Sequence, residues 1–375
     1  MIPYSTQDIN EADITAVTKV LRSGWLTQGP AIEGFEKAIA KKVGTGFAVA
    51  FNSGTAALHA AYFAAGVGKG DEVLVPAITF AATGNAALYL GATPVFVDVD
   101  PLTGNMDVKD AVRKITKKTK VLVPVDYAGR PTDLAAFRVL AKKHKLVLIE
   151  DGAQSLGASY CGKSVGSQAD MTMFSFHPVK SITTGEGGVI VTSDEAYARA
   201  LRLFRSHGIT RDPHFVKESE GPWHQEMHAL GENYRITDMQ AALGESQLKR
   251  LGSFIKKRSA AARRYPKLLK NLPLVLPPED TKTVNSAWHL YPVHVAPDKR
   301  KVVFEALRAA GIGVQVHYLP VYWHPYYQKL GYKKDLCPNA EKFYAGEISI
   351  PLFSKITLAQ QKFVADTLKR ILVSI

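Results

Sequence analysis

The run Met171-Thr172-Met173-Phe174-Ser175-Phe176 has the length and apolar content of a buried strand, and it empties through His177, Pro178 and Val179 into Lys180. Proline ends such a run because its ring fixes φ and removes the amide donor. The next residues, Ser181-Ile182-Thr183-Thr184-Gly185-Glu186-Gly187-Gly188, include glycines that let the backbone pass close to a ligand. An amine held in such a place loses water. Its pKa falls toward the range where it attacks carbonyls and forms Schiff bases.

Two further loops carry chemistry of a matching kind. Asn52-Ser53-Gly54-Thr55 precedes the helix-forming stretch Ala56 to Ala65, so its hydroxyls and free amides form either an anion site at a helix N-terminus or a plain N-cap. The apolar run Leu146-Val147-Leu148-Ile149 ends in Glu150-Asp151-Gly152-Ala153-Gln154, which puts a carboxylate at the end of a buried strand. A buried carboxylate needs a partner. Asp151 alone reads as a cap of the next helix or a magnesium ligand, whereas a pyridinium nitrogen is the partner that an electron-withdrawing ring would bring. Phosphate site, ring-nitrogen acid and amine, in that order along the chain, suit pyridoxal 5'-phosphate.

The elements that must position these loops alternate between strand and helix patterns. Val73 to Ala77, Val95 to Val97, Val121 to Val125, Leu146 to Ile149, Met171 to Phe176 and Gly188 to Thr192 read as strands of a mainly parallel sheet covered on both faces. Ligands of such sheets bind at the carboxyl ends of the strands. A helix is expected from Thr132-Asp133, with Leu134, Phe137, Val139 and Leu140 on its buried face. Thr237 and Gln240 form a capping box that opens a helix to about Leu248, and a basic helical stretch follows. Beyond about Leu251 the pattern shifts to Tyr291–Val295 and Gly313–Val316 as strands and Val302–Ala310 and Leu358–Leu372 as helices. The division expected is a large cofactor-binding domain over 1–250, with an N-terminal arm over 1–30, and a smaller α/β domain over 251–375.

Composition narrows the class. The 375 residues suffice for a large core, and no apolar run reaches the roughly 20 residues of a bilayer helix. Met1 to Ser5 shows no basic segment followed by an apolar one, so a cytoplasmic protein without membrane contact is expected. The formal charge of +13 could suggest nucleic acid, but the basic residues of 113–120, 142–145, 249–264 and 299–301 are dispersed and lack interleaved aromatics. They read as solvated surface that steers phosphate-bearing small molecules. Cys161 and Cys337 have no metal-ligand spacing, so no metal is expected and both read as free thiols.

From about Ile2 to the C-terminal helix the chain resembles the DegT/StrS-type sugar-nucleotide aminotransferases, a branch of the PLP-dependent transferases of fold type I, the aspartate-aminotransferase fold. The resemblance rests on Leu26-Thr27-Gln28-Gly29-Pro30, Asn52 to Thr55, Pro76-Ala77-Ile78-Thr79-Phe80, Glu150 to Gln154, Phe174 to Gly188, Asn233 to Asp238 and Val316-His317-Tyr318-Leu319-Pro320. It implies that Lys180 carries the cofactor as a Schiff base and then shuttles the proton, with Asp151 against the ring nitrogen, Gln154 on the phenolic oxygen and Phe80 stacked on the ring. Gly54, Thr55 and Ser175 would hold the phosphate, and Asn233 would reach it from the neighbouring subunit of a homodimer with shared active sites. Tyr4, Trp25, Leu26, Thr27, His317 and Tyr318 would surround the sugar nucleotide. His177 reads as a positioning residue of the lysine loop, and His207, His289 and His324 as surface or structural.

Some relatives carry histidine in place of the lysine and act as dehydratases, whereas Lys180 is retained here. The implied reaction is transfer of an amino group from L-glutamate, through the pyridoxamine form, to a nucleotide-linked ketosugar. The loop from His177 to Thr184 is most similar to the subgroup that aminates C4 of a UDP-4-keto-6-deoxy-N-acetylhexosamine toward pseudaminic acid. A dTDP- or GDP-linked 4-keto or 3-keto sugar is the alternative acceptor. A regulatory or DNA-binding role would be marked by a missing lysine or acid, and a cysteine desulfurase by a reactive loop cysteine.

Overall fold

Seven short segments rich in Val, Ile, Phe and Ala pair into one sheet in the computed structural model, which describes all 375 residues. They are β1 (Phe47–Phe51), β2 (Glu72–Pro76), β3 (Thr93–Val97), β4 (Thr119–Leu122), β5 (Val147–Asp151), β6 (Met171–Ser175) and β7 (Gly188–Thr192). Their spatial order is β1-β7-β6-β5-β4-β2-β3. Pairing is parallel from β3 through β2, β4 and β5 to β6. β7 is antiparallel to both β6 and β1, so it alone runs against the others. The carboxyl ends of six strands and the start of β7 therefore share one edge of the sheet.

The six expected strands are present within a few residues of their expected ends. β1 was not foreseen, and the reversed direction of β7 was not either. β1 is a five-residue segment between two helices with two alanines, Ala48 and Ala50, which gives a weak strand signal. The sheet is covered by α1 (Glu11–Leu21), α2 (Pro30–Val43), α3 (Gly54–Ala64), α4 (Ala82–Tyr89), α5 (Leu134–His144), α6 (Glu195–Arg205) and α7 (Asp238–Ala262). α5 begins at an Asp133 cap and buries Leu134, Phe137, Leu140 and Ala141. Val139 is 70% exposed, against expectation, because two residues beyond Phe137 the helix has turned roughly 200° away from the sheet. α7 starts with the expected capping box of Thr237 and Gln240 but does not stop near Leu248: it runs unbroken to Ala262. The expected division at 250/251 falls inside this helix.

The C-terminal residues pack a separate apolar cluster around β8 (Tyr291–His294), β9 (Glu347–Ile350), α8 (Arg300–Ala309) and α9 (Leu358–Ser374). β8 and β9 are antiparallel. Gly313–Val316 does not form the expected strand, and only Gln315 bridges to Ser349. The beginning of the chain is tied to this part as well: Gly313 N–H donates to the Ile2 carbonyl at 2.7 Å and Leu352 N–H to that of Tyr4 at 2.9 Å. No helix is long and apolar enough to cross a membrane.

Candidate active site

The shared edge of the sheet opens into a cavity of about 520 Å³, within the size range of small-molecule sites. Much of its wall comes from loops that follow strands of this sheet. After β1, Ser53 caps α3 by accepting a hydrogen bond from Ala56 N–H at 3.1 Å, which leaves the amides of Gly54 and Thr55 without a bond inside the helix. Gly188, at the start of β7, makes this turn possible. A Cβ there would lie 2.6 Å from the Ser53 carbonyl and 2.7 Å from Gly54 backbone atoms. Ser175, at the end of β6, is packed beside Gly54, and both line the cavity.

Asp151 closes β5 and is almost fully buried. The Thr83 hydroxyl donates to its Oδ2 at 2.8 Å and the Ala153 amide to its Oδ1 at 3.1 Å. Thr79 Oγ1 lies 2.8 Å from Thr83 Oγ1, and since Thr83 has spent its only proton on Asp151, Thr79 must be the donor of that pair. Burial raises the Asp151 pKa, while Thr83, Ala153 and Lys180 pull it down. It forms no ion pair with an Arg or Lys side chain at contact distance. A cation placed in the cavity against this carboxylate would be matched in charge.

Lys180 enters from the loop after β6, its amide donating to the His177 carbonyl at 2.9 Å. Burial brings its amine down to about 8, Arg258 adds to the effect, and Asp151 opposes it. Arg258 is buried on α7 without a carboxylate partner. Its Nη1 donates to the carbonyls of Trp288, His289 and Leu352 at 3.4, 3.3 and 3.1 Å, and its Nη2 to Val179 at 3.3 Å. The residue next to the lysine is thereby held by a cation that also depresses the amine. Gln154 is buried, accepts from the Ala128 amide at 2.7 Å and donates to the Tyr318 hydroxyl at 2.9 Å. Phe80 is 63% exposed, although it stands in the cavity wall. Its ring is tilted against that of Tyr318, with centroids 6.2 Å apart, and the exposed remainder is free to cover a planar ligand.

The structure thus gathers Tyr4, Gly54, Thr55, Phe80, Asp151, Gln154, Ser175, Lys180, His317 and Tyr318 around one cavity, with His177 at its border. It does not bring Trp25, Leu26, Thr27 or Asn233 there. These four are exposed, with Thr27 bridged to Thr237 and Asn233 to Ser206. Thr83 and Tyr127 line the cavity without having had a sequence signal, and Thr79 and Glu186 lay within motifs of the resemblance but were given no role. His289, expected to be surface or structural, also lines the cavity. It is buried, its Nδ1 has no hydrogen-bond partner, and burial together with Lys180 and Arg258 keeps it neutral by pushing its pKa well down. The dipeptide Trp288-His289 follows no strand of the main sheet, so the rule about carboxyl ends could not find it.

The residues present fit pyridoxal phosphate. Free helix-terminal amides stand at one end of the cavity for the phosphate, an unpaired buried carboxylate stands for the ring nitrogen, and a desolvated amine lies beside it. Comparison with known proteins points the same way. The DegT/DnrJ/EryC1/StrS aminotransferase family model matches residues 7–369. The UDP-4-amino-4,6-dideoxy-N-acetyl-beta-L-altrosamine transaminase of Campylobacter jejuni is 40% identical over 378 residues, covering 99% of this chain and 98% of that protein. The spore coat polysaccharide biosynthesis protein SpsC of Bacillus subtilis is 39% identical over 362 residues, covering 95% and 93%. Among solved structures, Spr1654 of Streptococcus pneumoniae in its PMP form superposes with a TM-score of 0.94 at 34% identity over all of both chains. PseC of Helicobacter pylori, an aminotransferase of pseudoaminic acid biosynthesis, gives 0.92 at 34% identity, again over all of both chains.

Proposed function

Because this chain belongs to the DegT/DnrJ/EryC1/StrS aminotransferase family, a PLP-dependent family, we propose that it transfers an amino group from L-glutamate to C4 of a nucleotide-linked 4-keto-6-deoxy sugar. A UDP-linked 4-keto-6-deoxy-N-acetylhexosamine is the acceptor we favour, in a pathway of the pseudaminic acid type. The carrying observation is the pairing of a Lys180 amine brought down to about 8 with a buried Asp151 carboxylate across one cavity. The names of the Campylobacter and Helicobacter relatives support the choice of sugar.

When bound, the cofactor supplies an electron sink for a carbanion. The chain supplies the rest. Asp151, fixed by Thr83 and Ala153, holds a positive charge at the ring nitrogen. The amides of Gly54 and Thr55, with Ser175, bind the phosphate at the α3 terminus. Phe80 covers the ring. The Nζ of Lys180 would hold the cofactor and would serve as the base and acid for a proton of the donor's Cα, work suited to an amine that titrates near the working pH. Asn233 and the Trp25–Thr27 segment act on the cavity of a second subunit; their exposure away from the cavity of their own chain supports that reading. We place the enzyme in the cytoplasm, where glutamate and nucleotide sugars occur.

The test is to load the protein with pyridoxal phosphate, bleach its visible absorbance with L-glutamate, and ask which nucleotide ketosugar restores it. Recovery with the UDP-linked 4-keto sugar is expected, and recovery only with a dTDP- or GDP-linked or 3-keto sugar would move the assignment to that acceptor. If glutamate leaves the spectrum unchanged and Lys180→Ala behaves like the wild type, the aminotransfer reading is wrong.

A further inference from the structure

His317 has four atoms that can form hydrogen bonds, and three of them already do. Its amide donates to Glu347 Oε2 at 2.7 Å, its carbonyl accepts from the Tyr127 hydroxyl at 2.6 Å, and its Nδ1 lies 2.8 Å from Ser349 Oγ. Ser349 Oγ in turn lies 2.6 Å from Glu347 Oε1. Glu347 and Ser349, both on β9, are fully buried. Nε2 takes no partner from the protein, and the residue lines the cavity. The backbone of the residue is held at both its polar atoms and the ring at Nδ1, with Nε2 left for a ligand.

Proton counting gives this chain a direction. Burial, with Lys180 adding to it, brings His317 down to about 3, so the ring is neutral at working pH and carries a single N–H. Ser349 carries a single O–H. If Glu347 is ionised it must accept from Ser349, Ser349 must accept from Nδ1–H, and Nε2 is a bare acceptor. If Glu347 holds a proton on Oε1 it donates to Ser349, Ser349 donates to Nδ1, and the ring proton sits on Nε2. One proton on a carboxyl outside the cavity reverses every bond in the relay.

We propose that Glu347 is a positioning residue that keeps its proton at neutral pH and so holds His317 as the Nε2–H tautomer, a hydrogen-bond donor presented to an acceptor oxygen of the bound substrate. The surroundings favour the neutral carboxyl. Burial raises its pKa to about 8, although Ser349, the His317 amide and Arg300 each pull it down. Arg300 on α8 spends its guanidinium on the Tyr344 carbonyl and ring instead of on Glu347. His294, the cross-strand partner of Glu347 on β8, is brought down to about 4 by burial and is uncharged. Tyr127 and Tyr318 are raised by burial and remain phenols. No cation is hydrogen-bonded to the carboxyl, so ionising it would leave an uncompensated buried charge.

The identity of the accepting oxygen rests on the proposed function, whereas the tautomer does not. The test is therefore first spectroscopic: side-chain 15N shifts of histidine-labelled, cofactor-loaded enzyme, with the His317 signal assigned by His317→Gln. The wild type is expected to show Nε2–H below about pH 7 and to cross to Nδ1–H as pH rises through about 8. Glu347→Gln, whose amide donates to Ser349 as the protonated acid does, is expected to hold Nε2–H throughout. The KM for the ketosugar should rise about tenfold over the same range in the wild type and stay flat in Glu347→Gln. Wild-type Nδ1–H already below about pH 7 overturns the proposal, and this reading needs the His317→Gln spectrum only for assignment. A crossing that persists in Glu347→Gln, or a wild-type KM that stays flat while the tautomer turns over, overturns it too. Because the shifts are read without any sugar, failure of the acceptor assignment would leave them unaffected.

Discussion

An amine is a nucleophile only without its proton, so lowering the pKa of Lys180 enlarges the reactive fraction at neutral pH. At a pKa of about 8 roughly a tenth of Lys180 is neutral at pH 7, against fewer than about one in a thousand for an ordinary surface lysine. Modification of the cofactor-free protein by an acylating reagent, followed by peptide mass spectrometry, should give Lys180 a pH midpoint near 8, and the surface lysines a midpoint about two units higher. Arg258→Met removes a cation that depresses the amine, so the Lys180 midpoint should move upward in that variant. A midpoint unchanged in Arg258→Met would show that burial acts alone. Lys180 and Asp151 were legible in the sequence because each lies within four residues of the end of an apolar run of strand length. Arg258 and His289 were not, since one lies mid-helix among exposed basic residues and the other follows no strand of the main sheet. Their meaning arises only when four distant carbonyls and one cavity are brought together in space.

At the level of elements, the phosphate end of the cavity depends on how closely β7 passes the start of α3. Gly188→Ala puts a methyl group 2.6 Å from the Ser53 carbonyl and 2.7 Å from Gly54, both of them backbone that cannot rotate away. The expected result is a folded protein whose affinity for pyridoxal phosphate falls at least about tenfold by fluorescence titration, since the displaced amides belong to the anion site. Full wild-type affinity would mean that α3 shifts freely. The corrected face of α5 makes a second prediction. Phe137→Ala should destabilise by about 3–5 kcal/mol in urea unfolding and Val139→Ala by less than about 0.5 kcal/mol, because only Phe137 is buried. The alternation of strand and helix was readable since two-sided burial leaves continuous apolar runs. Strand direction was not readable, because the residues of β7 would be equally apolar either way round.

On the scale of the whole molecule, the exposure of Asn233 and Trp25 away from the cavity of their own chain makes shared sites a measurable matter. Lys180→Ala and Asn233→Ala subunits, each inactive alone, should regain about a quarter of wild-type activity after mixed refolding, as half the dimers become hybrids with one intact site each. No recovery would mean that each chain completes its own site. Sequence patterns report what a chain buries against itself, so residues that a partner would cover look like any other exposed side chain.

The carbonyl cage of Arg258 spans nearly the full length of the chain: Ser5 Oγ lies within 3.5 Å of its Nη2, and Val179, Trp288, His289 and Leu352 supply the rest. The reactive lysine is thus wired to both termini. A chain that lacks Ser5 or the segment from Leu352 onward loses part of this cage, and with it part of what holds the Val179 carbonyl beside the amine.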